Sequence, residues 1–163
     1  SLPDAGFVYL PGGYPELYLA ALSANRQMLQ SIRRYVESGG KLLAECGGMM
    51  YLCDEIRDKN GDVYPMAGVL HQSATMENMK LRLGYRTLLY NETRLKGHEF
   101  HYSRLVEQQN PLPSCAVAYT AKGVETDTPL YHYKNVWAGY THLYWADPVG
   151  NEWFTKFVID GNT

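Results

Sequence analysis

The sequence predicts an α/β domain built on a mainly parallel sheet. Three observations carry that expectation. Residues 6–53 read strand, helices, strand, helix, which is the rhythm of an α/β unit. The second strand of that run, Lys41-Leu42-Leu43-Ala44-Glu45, is apolar without clean alternation, as strands buried on both faces are. The chain of 163 residues is the size of one ordinary domain, and its 45% hydrophobic and 20% charged residues match an average globular protein.

In chain order, Gly6-Phe7-Val8-Tyr9-Leu10 is a short apolar strand stopped by the turn signal Pro11-Gly12-Gly13. A helix follows over about Pro15 to Ala24, with Glu16 favourable to the dipole of its first turn. Asn25 can cap a second helix. Its apolar residues Met28, Leu29, Ile32, Tyr35 and Val36 recur at helical spacing, and Gly39-Gly40 ends it. After the strand at 41–45, Gly47-Gly48-Met49-Met50-Tyr51-Leu52-Cys53 resumes helical character. From Met79 to about Val106 the chain reads as β-structure interrupted by Gly84 and Gly97, and residues 115–120 and 130–140 are β-like too. Asp147-Pro148 is an N-cap followed by proline at the first helical position; Trp153, Phe154, Phe157 and Val158 give the last helix one apolar face. No repeat or internal linker divides the chain, so one domain with hairpin extensions is expected.

Composition excludes several classes. No apolar run approaches the ~18 residues of a membrane span, and Ser1-Leu2-Pro3-Asp4 has no signal-peptide character. The net charge of −2 argues against nucleic-acid binding by charge. Cys46, Cys53 and Cys115 form neither an even set nor a C-x-x-C pair, which fits a reducing cytoplasm better than a disulfide framework. Gly39-Gly40-Lys41 lacks the rest of a P-loop, and no G-x-G-x-x-G follows a strand. In Gly97-His98-Glu99-Phe100-His101-Tyr102-Ser103, His98 and His101 are three apart in a β context. Their side chains therefore point to opposite faces, and no metal site is expected there.

The densest chemical signal is Leu43-Ala44-Glu45-Cys46-Gly47-Gly48-Met49. A cysteine stands where a strand runs into a helix, with Ala44 and Gly48 two residues to either side. A nucleophile elbow needs small neighbours at those positions because the turn is so sharp. The helix N-terminus favours a Cys46 thiolate, and the Gly47 N–H is placed to serve an oxyanion. A buried cysteine beside a glycine turn is the bland alternative, and Cys53 and Cys115 are read that way. A cysteine nucleophile needs a base. His142, in Tyr140-Thr141-His142-Leu143-Tyr144, ends a strand-like run, and open α/β sheets place their sites at the carboxyl ends of strands.

Four blocks occur in order: Leu10-Pro11-Gly12-Gly13-Tyr14-Pro15-Glu16, Ala44-Glu45-Cys46-Gly47-Gly48-Met49, Gly97-His98-Glu99-Phe100-His101-Tyr102-Ser103 and Tyr140-Thr141-His142-Leu143. Together they closely resemble the C-terminal glutamine amidotransferase domain of the cobyrinic acid a,c-diamide synthases of vitamin B12 biosynthesis, over nearly the whole chain. The resemblance implies a flavodoxin-like class I glutamine amidotransferase fold with helices on both sheet faces. It makes Cys46 the nucleophile, His142 its base, and Gly13 and Gly47 the oxyanion donors. Glutamine is the implied substrate, with Arg86 and Glu99 as candidate anchors of its α-carboxylate and α-amino groups.

It also implies an N-terminal synthetase domain in the same polypeptide that uses ATP and Mg²⁺ and takes cobyrinic acid. Residues 1–163 are then the glutaminase domain alone, starting after the family's first strand. A second copy of the chain is a further candidate partner. In the familiar Cys-His-Glu amidotransferases a glutamate lies two residues past the histidine. Here that position is Tyr144, so a Cys46–His142 dyad is expected, its ring oriented by Tyr144 or a backbone carbonyl. The competing readings are a catalytically silent docking or corrin-binding domain, and the amidotransferase half of a cobyric acid synthase or nickel-sirohydrochlorin a,c-diamide synthase.

Overall fold

The computed structural model describes residues 1–160. Its centre is a four-stranded sheet. Strands β1 (Phe7–Leu10) and β2 (Lys41–Glu45) run parallel, with Phe7 opposite Lys41 and Leu10 opposite Ala44. Between them come a 3₁₀ turn (Pro15–Leu17), α1 (Leu19–Ala24) and α2 (Arg26–Glu37). The single helix expected over residues 15–24 is thus broken at Tyr18. Asn25 caps α2 as expected, its side chain accepting the Met28 N–H at 3.2 Å, and Leu29, Ile32 and Val36 are buried. β2 then feeds directly into α3 (Gly47–Leu52).

A second sheet of short strands follows. It comprises β3 (Glu55–Arg57), β4 (Val63–Pro65), β5 (Ser73–Thr75) and, further along the chain, β8 (Arg104–Leu105). Between β5 and β8 come the long strands β6 (Arg82–Tyr90) and β7 (Thr93–His101). They pair antiparallel over their whole length and, with β9 (Val117–Thr120), β10 (Glu125–Thr126) and β13 (His142–Leu143), make a third sheet. β11 (Leu130–Tyr133) pairs antiparallel with β12 (Val136–Gly139), which returns to the central sheet parallel to β2. The chain closes with α4 (Pro148–Asp160), whose first turn is tied by the Asn151 N–H to the Asp147 carbonyl.

Both faces of the central sheet are covered, as its unalternating apolar strands require. Leu42 and Ala44 of β2 face a core with Ile32 and Val36 of α2 and Met49 and Leu52 of α3. Leu43 and Trp137 face the opposite core with Trp153 and Phe157 of α4. The carboxyl ends of β2 and β12 meet the β7–β13 ladder at one edge of this packed body. Among the described residues, no helix is long and apolar enough to cross a membrane.

Candidate active site

The turn between β2 and α3 is an elbow. Cys46 sits at φ 50°, ψ −111°, a left-handed conformation that costs a non-glycine residue on the order of 1–3 kcal/mol. Its N–H donates to the Gly139 carbonyl of β12 at 2.8 Å, which fixes the strained residue to the neighbouring strand. The glycines that follow are dictated by crowding. A Cβ on Gly47 would press on the Gly13 carbonyl oxygen and Pro15, and one on Gly48 would collide with the Leu10 carbonyl oxygen. The P-G-G-Y-P turn and the elbow therefore interlock, bringing Gly13 beside Gly47. Gly47 is the first residue of α3, where a helix N–H has no intrahelical acceptor.

His142 reaches Cys46 from the third sheet. β13 pairs with β7 so that His142 lies opposite His98, and Gly97 opposite Leu143 leaves room for the His142 backbone. A Cβ on Gly12 would run into the His142 ring. Interaction with the Cys46 side chain, followed by the nearby Glu45 carboxylate, raises its pKa from 6.5 to about 9, while the Cys46 thiol itself lies 3.7 Å from the Phe100 carbonyl oxygen. His98 stacks on the His142 ring with ring centres 5.0 Å apart. Burial and the neighbouring His142 lower the His98 pKa, so the stacked partner stays neutral near pH 7.

The other cysteines differ. Cys53 is fully buried and burial pushes its thiol well up; burial likewise pushes Cys115 up to about 11. Both sit in the packed interior or its margin, as expected. His98 and His101 do point to opposite faces. His98 is exposed beside His142, whereas His101 is buried against Tyr140 with ring centres 3.6 Å apart.

Two of the expected neighbours have other partners in the structure. Period-two geometry does bring Tyr144 to the same face as His142, but its ring packs against His98 at 5.7 Å. Among the described residues it makes no hydrogen bond to the His142 ring. The nearest side-chain oxygen on that ring belongs to Glu45, with Oε2 3.7 Å from Nδ1. Arg86 and Glu99 are engaged with each other rather than left free as substrate anchors. Arg86 Nε donates to Glu99 Oε2 at 2.6 Å, Thr128 Oγ1 donates to the same oxygen at 2.6 Å, and His101 Nε2 lies 3.0 Å from Oε1. Burial alone would raise the Glu99 pKa. The His101 and Thr128 hydrogen bonds and the Arg86 charge outweigh it, and the carboxyl is held below its ordinary value.

Glu45 and Tyr9 are the residues that sequence reasoning left without a role. The available signal was a lone carboxylate closing an otherwise apolar strand, one residue before the elbow. One hollow borders the elbow, and a second lies over the Glu99 network. An apolar one of about 330 Å³ is bordered by Gly12, Gly13, Tyr14, Tyr18 and Gly47. A polar one of about 290 Å³ is bordered by Arg82, Glu99, Arg104, Asp127 and Tyr140.

A layered α/β domain, with a cysteine elbow at the carboxyl end of its central strands, falls in the glutamine amidotransferase class. A solved structure described as a glutamine amidotransferase matches 94% of this chain and 79% of its own, with a TM-score of 0.59 at 19% identity, which speaks for the fold. The chain belongs to the CobB/CobQ-like glutamine amidotransferase domain family, whose model matches residues 1–149. Its relatives include the hydrogenobyrinate a,c-diamide synthase of Stutzerimonas stutzeri, 38% identical over 149 residues, covering 91% of this chain and 34% of the relative. The cobyrinate a,c-diamide synthase of Salmonella typhimurium is 34% identical over 154 residues, covering 90% and 34%. The chain thus spans about a third of the length of these curated relatives.

Proposed function

We propose that the chain is the glutamine-hydrolysing part of a longer amide ligase acting on the a and c carboxylates of a cobyrinate-type macrocycle. The Cys46 thiolate attacks the side-chain amide carbon of glutamine. The Gly13 and Gly47 amides donate to the resulting oxyanion. His142, charged beside the thiolate, gives its proton to the departing nitrogen, so ammonia leaves and a γ-glutamyl thioester remains. Water then adds to the thioester with His142 taking its proton, and glutamate and the thiol are released. Ammonia passes to the portion of the protein that the relatives carry beyond this domain.

ATP and Mg²⁺ chemistry belongs to that other portion. Gly39-Gly40-Lys41 supplies no phosphate loop to that chemistry: the Lys41 ammonium donates to the Val158 carbonyl oxygen of α4 at 2.8 Å. The choice of macrocycle rests on the relatives, which are named for hydrogenobyrinate or cobyrinate. The observation that best supports the reading is the strained Cys46 with a raised-pKa histidine in reach. The test is treatment with a glutamine-analogue diazo-ketone, followed by adduct mapping. Adduct on Cys46 alone is expected. Labelling at Cys53 or Cys115 instead would overturn the assignment, and no labelling would favour a silent docking domain.

A further inference from the structure

Glu45 precedes the nucleophile, is 3% exposed, and is the one carboxylate placed against the His142 ring among the described residues. Its two oxygens are held separately. Tyr9 Oη of the neighbouring strand donates to Oε2 at 2.6 Å, and the Leu143 N–H, next to His142 in the chain, donates to Oε1 at 3.0 Å. The Tyr9 pKa is pushed up to about 12, by burial first and then by Glu45, so the phenol stays protonated and keeps donating. The carboxylate is therefore fixed by one neutral donor from β1 and one backbone donor from β13. Neither carries a charge that would neutralise it.

At 3.7 Å the Glu45–His142 approach is an ion-pair distance, longer than a hydrogen bond. Catalytic hydrogen bonds are often long before substrate binds and tighten in the reacting complex. The groups facing the His142 ring are Cys46 and Glu45 from the β2–α3 elbow and His98 from β7, with Tyr144 beyond His98. His98 is neutral and Tyr144 packs on His98, so the negative charge at the ring comes from the elbow alone.

We propose that Glu45 is the positioning carboxylate of His142: buried in β2 and held by the Leu143 amide, with Tyr9 competing for the oxygen that faces the ring, it orients the imidazole and stabilises its charged form. This rests on the Cys46–His142 reading. It replaces a carboxylate two residues past the histidine with one supplied by the residue before the nucleophile, a different strand reaching the same ring. Glu45 touches neither substrate nor leaving group in this scheme; it acts through His142.

The test compares Glu45→Gln with Tyr9→Phe in this chain, reading the His142 titration by ¹⁵N-resolved NMR and glutaminase kcat and KM separately. Glu45→Gln keeps an acceptor for Leu143 but removes the charge. It should lower the His142 pKa by about 1 unit or more. It should also cut kcat by ~10–100-fold, with KM within about threefold. Tyr9→Phe removes a competing donor while Leu143 still holds the carboxylate, so the His142 pKa should stay at or above the parent value. An unchanged His142 titration in Glu45→Gln would overturn the proposal, as would a His142 pKa lowered by Tyr9→Phe. If Glu45→Gln does not fold, the direction of the Tyr9→Phe shift decides alone. An inert Cys46→Ser variant with a titration insensitive to Glu45 sinks this inference but spares the proposed nucleophile. An active Cys46→Ser variant sinks the nucleophile itself.

Discussion

The described residues hold two histidine–glutamate pairs, and they are built in opposite ways. His101 and Glu99 are both buried and both saturated. The His101 ring meets Glu99 at 3.0 Å through Nε2 and the Ser103 carbonyl oxygen at 2.8 Å through Nδ1, while Glu99 also takes Arg86 and Thr128. His142 and Glu45 sit 3.7 Å apart, the histidine side chain is 26% exposed, and the ring's other partner is a cysteine in strained backbone. A closed network in low dielectric is rigid and chemically silent, because every donor already has its acceptor. A pair left partly open at the rim of a sheet keeps a proton that can move. The same residue types thus make a rivet in one place and a candidate acid–base site in the other.

The largest expected effect strikes the rivet. Removing one member of a buried pair leaves its partner charged and uncompensated, which costs about 3–5 kcal/mol. Glu99→Ala strips Arg86, whose side chain is only 11% exposed, and strips His101 and Thr128 as well. Urea unfolding should show that loss, while kcat per folded molecule changes far less. The open pair should behave in reverse. His142→Ala should reduce glutaminase kcat at least ~100-fold, the low end for a general acid–base group, with a smaller fall in the urea midpoint than Glu99→Ala gives. Comparable effects of the two variants on both readouts would erase the distinction.

The two regions should also divide the pH dependence of stability. The His142 pKa is raised to about 9 in the folded state, so its contribution is fully present below 6.5 and is lost as pH rises through about 9. The Glu99 pKa is lowered, so its contribution is present above the ordinary carboxylate value and is lost as pH falls through the folded one. Melting temperature against pH should therefore lose part of its alkaline fall in His142→Ala. It should lose part of its acid fall in Glu99→Gln. Asp127 is also held low by Arg82, so the acid limb will shrink without vanishing.

Much of this was legible in the chain itself. The elbow was readable because its constraint is local: strand, cysteine and small neighbours lie within seven residues. Helices α2 and α4 were readable because periodicity and caps are local too. The short strands β3, β4, β5 and β8 carry two or three residues each, too few for a period, and exist through pairings with distant chain. Glu45 was visible but mute. Its role depends on Tyr9, 36 residues before it, and Leu143, 98 after it, meeting at one carboxylate. The Arg86–Glu99 pair was hidden for the same reason: one residue type suits a substrate anchor and a buried ion pair, and only register places Arg86 opposite Gly97 with Glu99 two residues on, on the same face.

The smallest expected effect is the most discriminating. Tyr144 is a sequence candidate for orienting His142, beside a backbone carbonyl, and loss of one neutral hydrogen bond of about 1 kcal/mol would slow the reaction about fivefold. In the structure its ring meets His98 edge-tilted at 32°, and His98 in turn stacks on His142. Removing the Tyr144 hydroxyl leaves that ring packing in place and takes no donor or acceptor from the His142 imidazole. Tyr144→Phe should therefore leave kcat within about twofold and the His142 titration unmoved, since no charged or hydrogen-bonding partner of the ring is lost. A fall of about fivefold or more would mean that the phenol swings onto the imidazole once glutamine is bound. Glu45 would then share, or lose, the place that the geometry gives it.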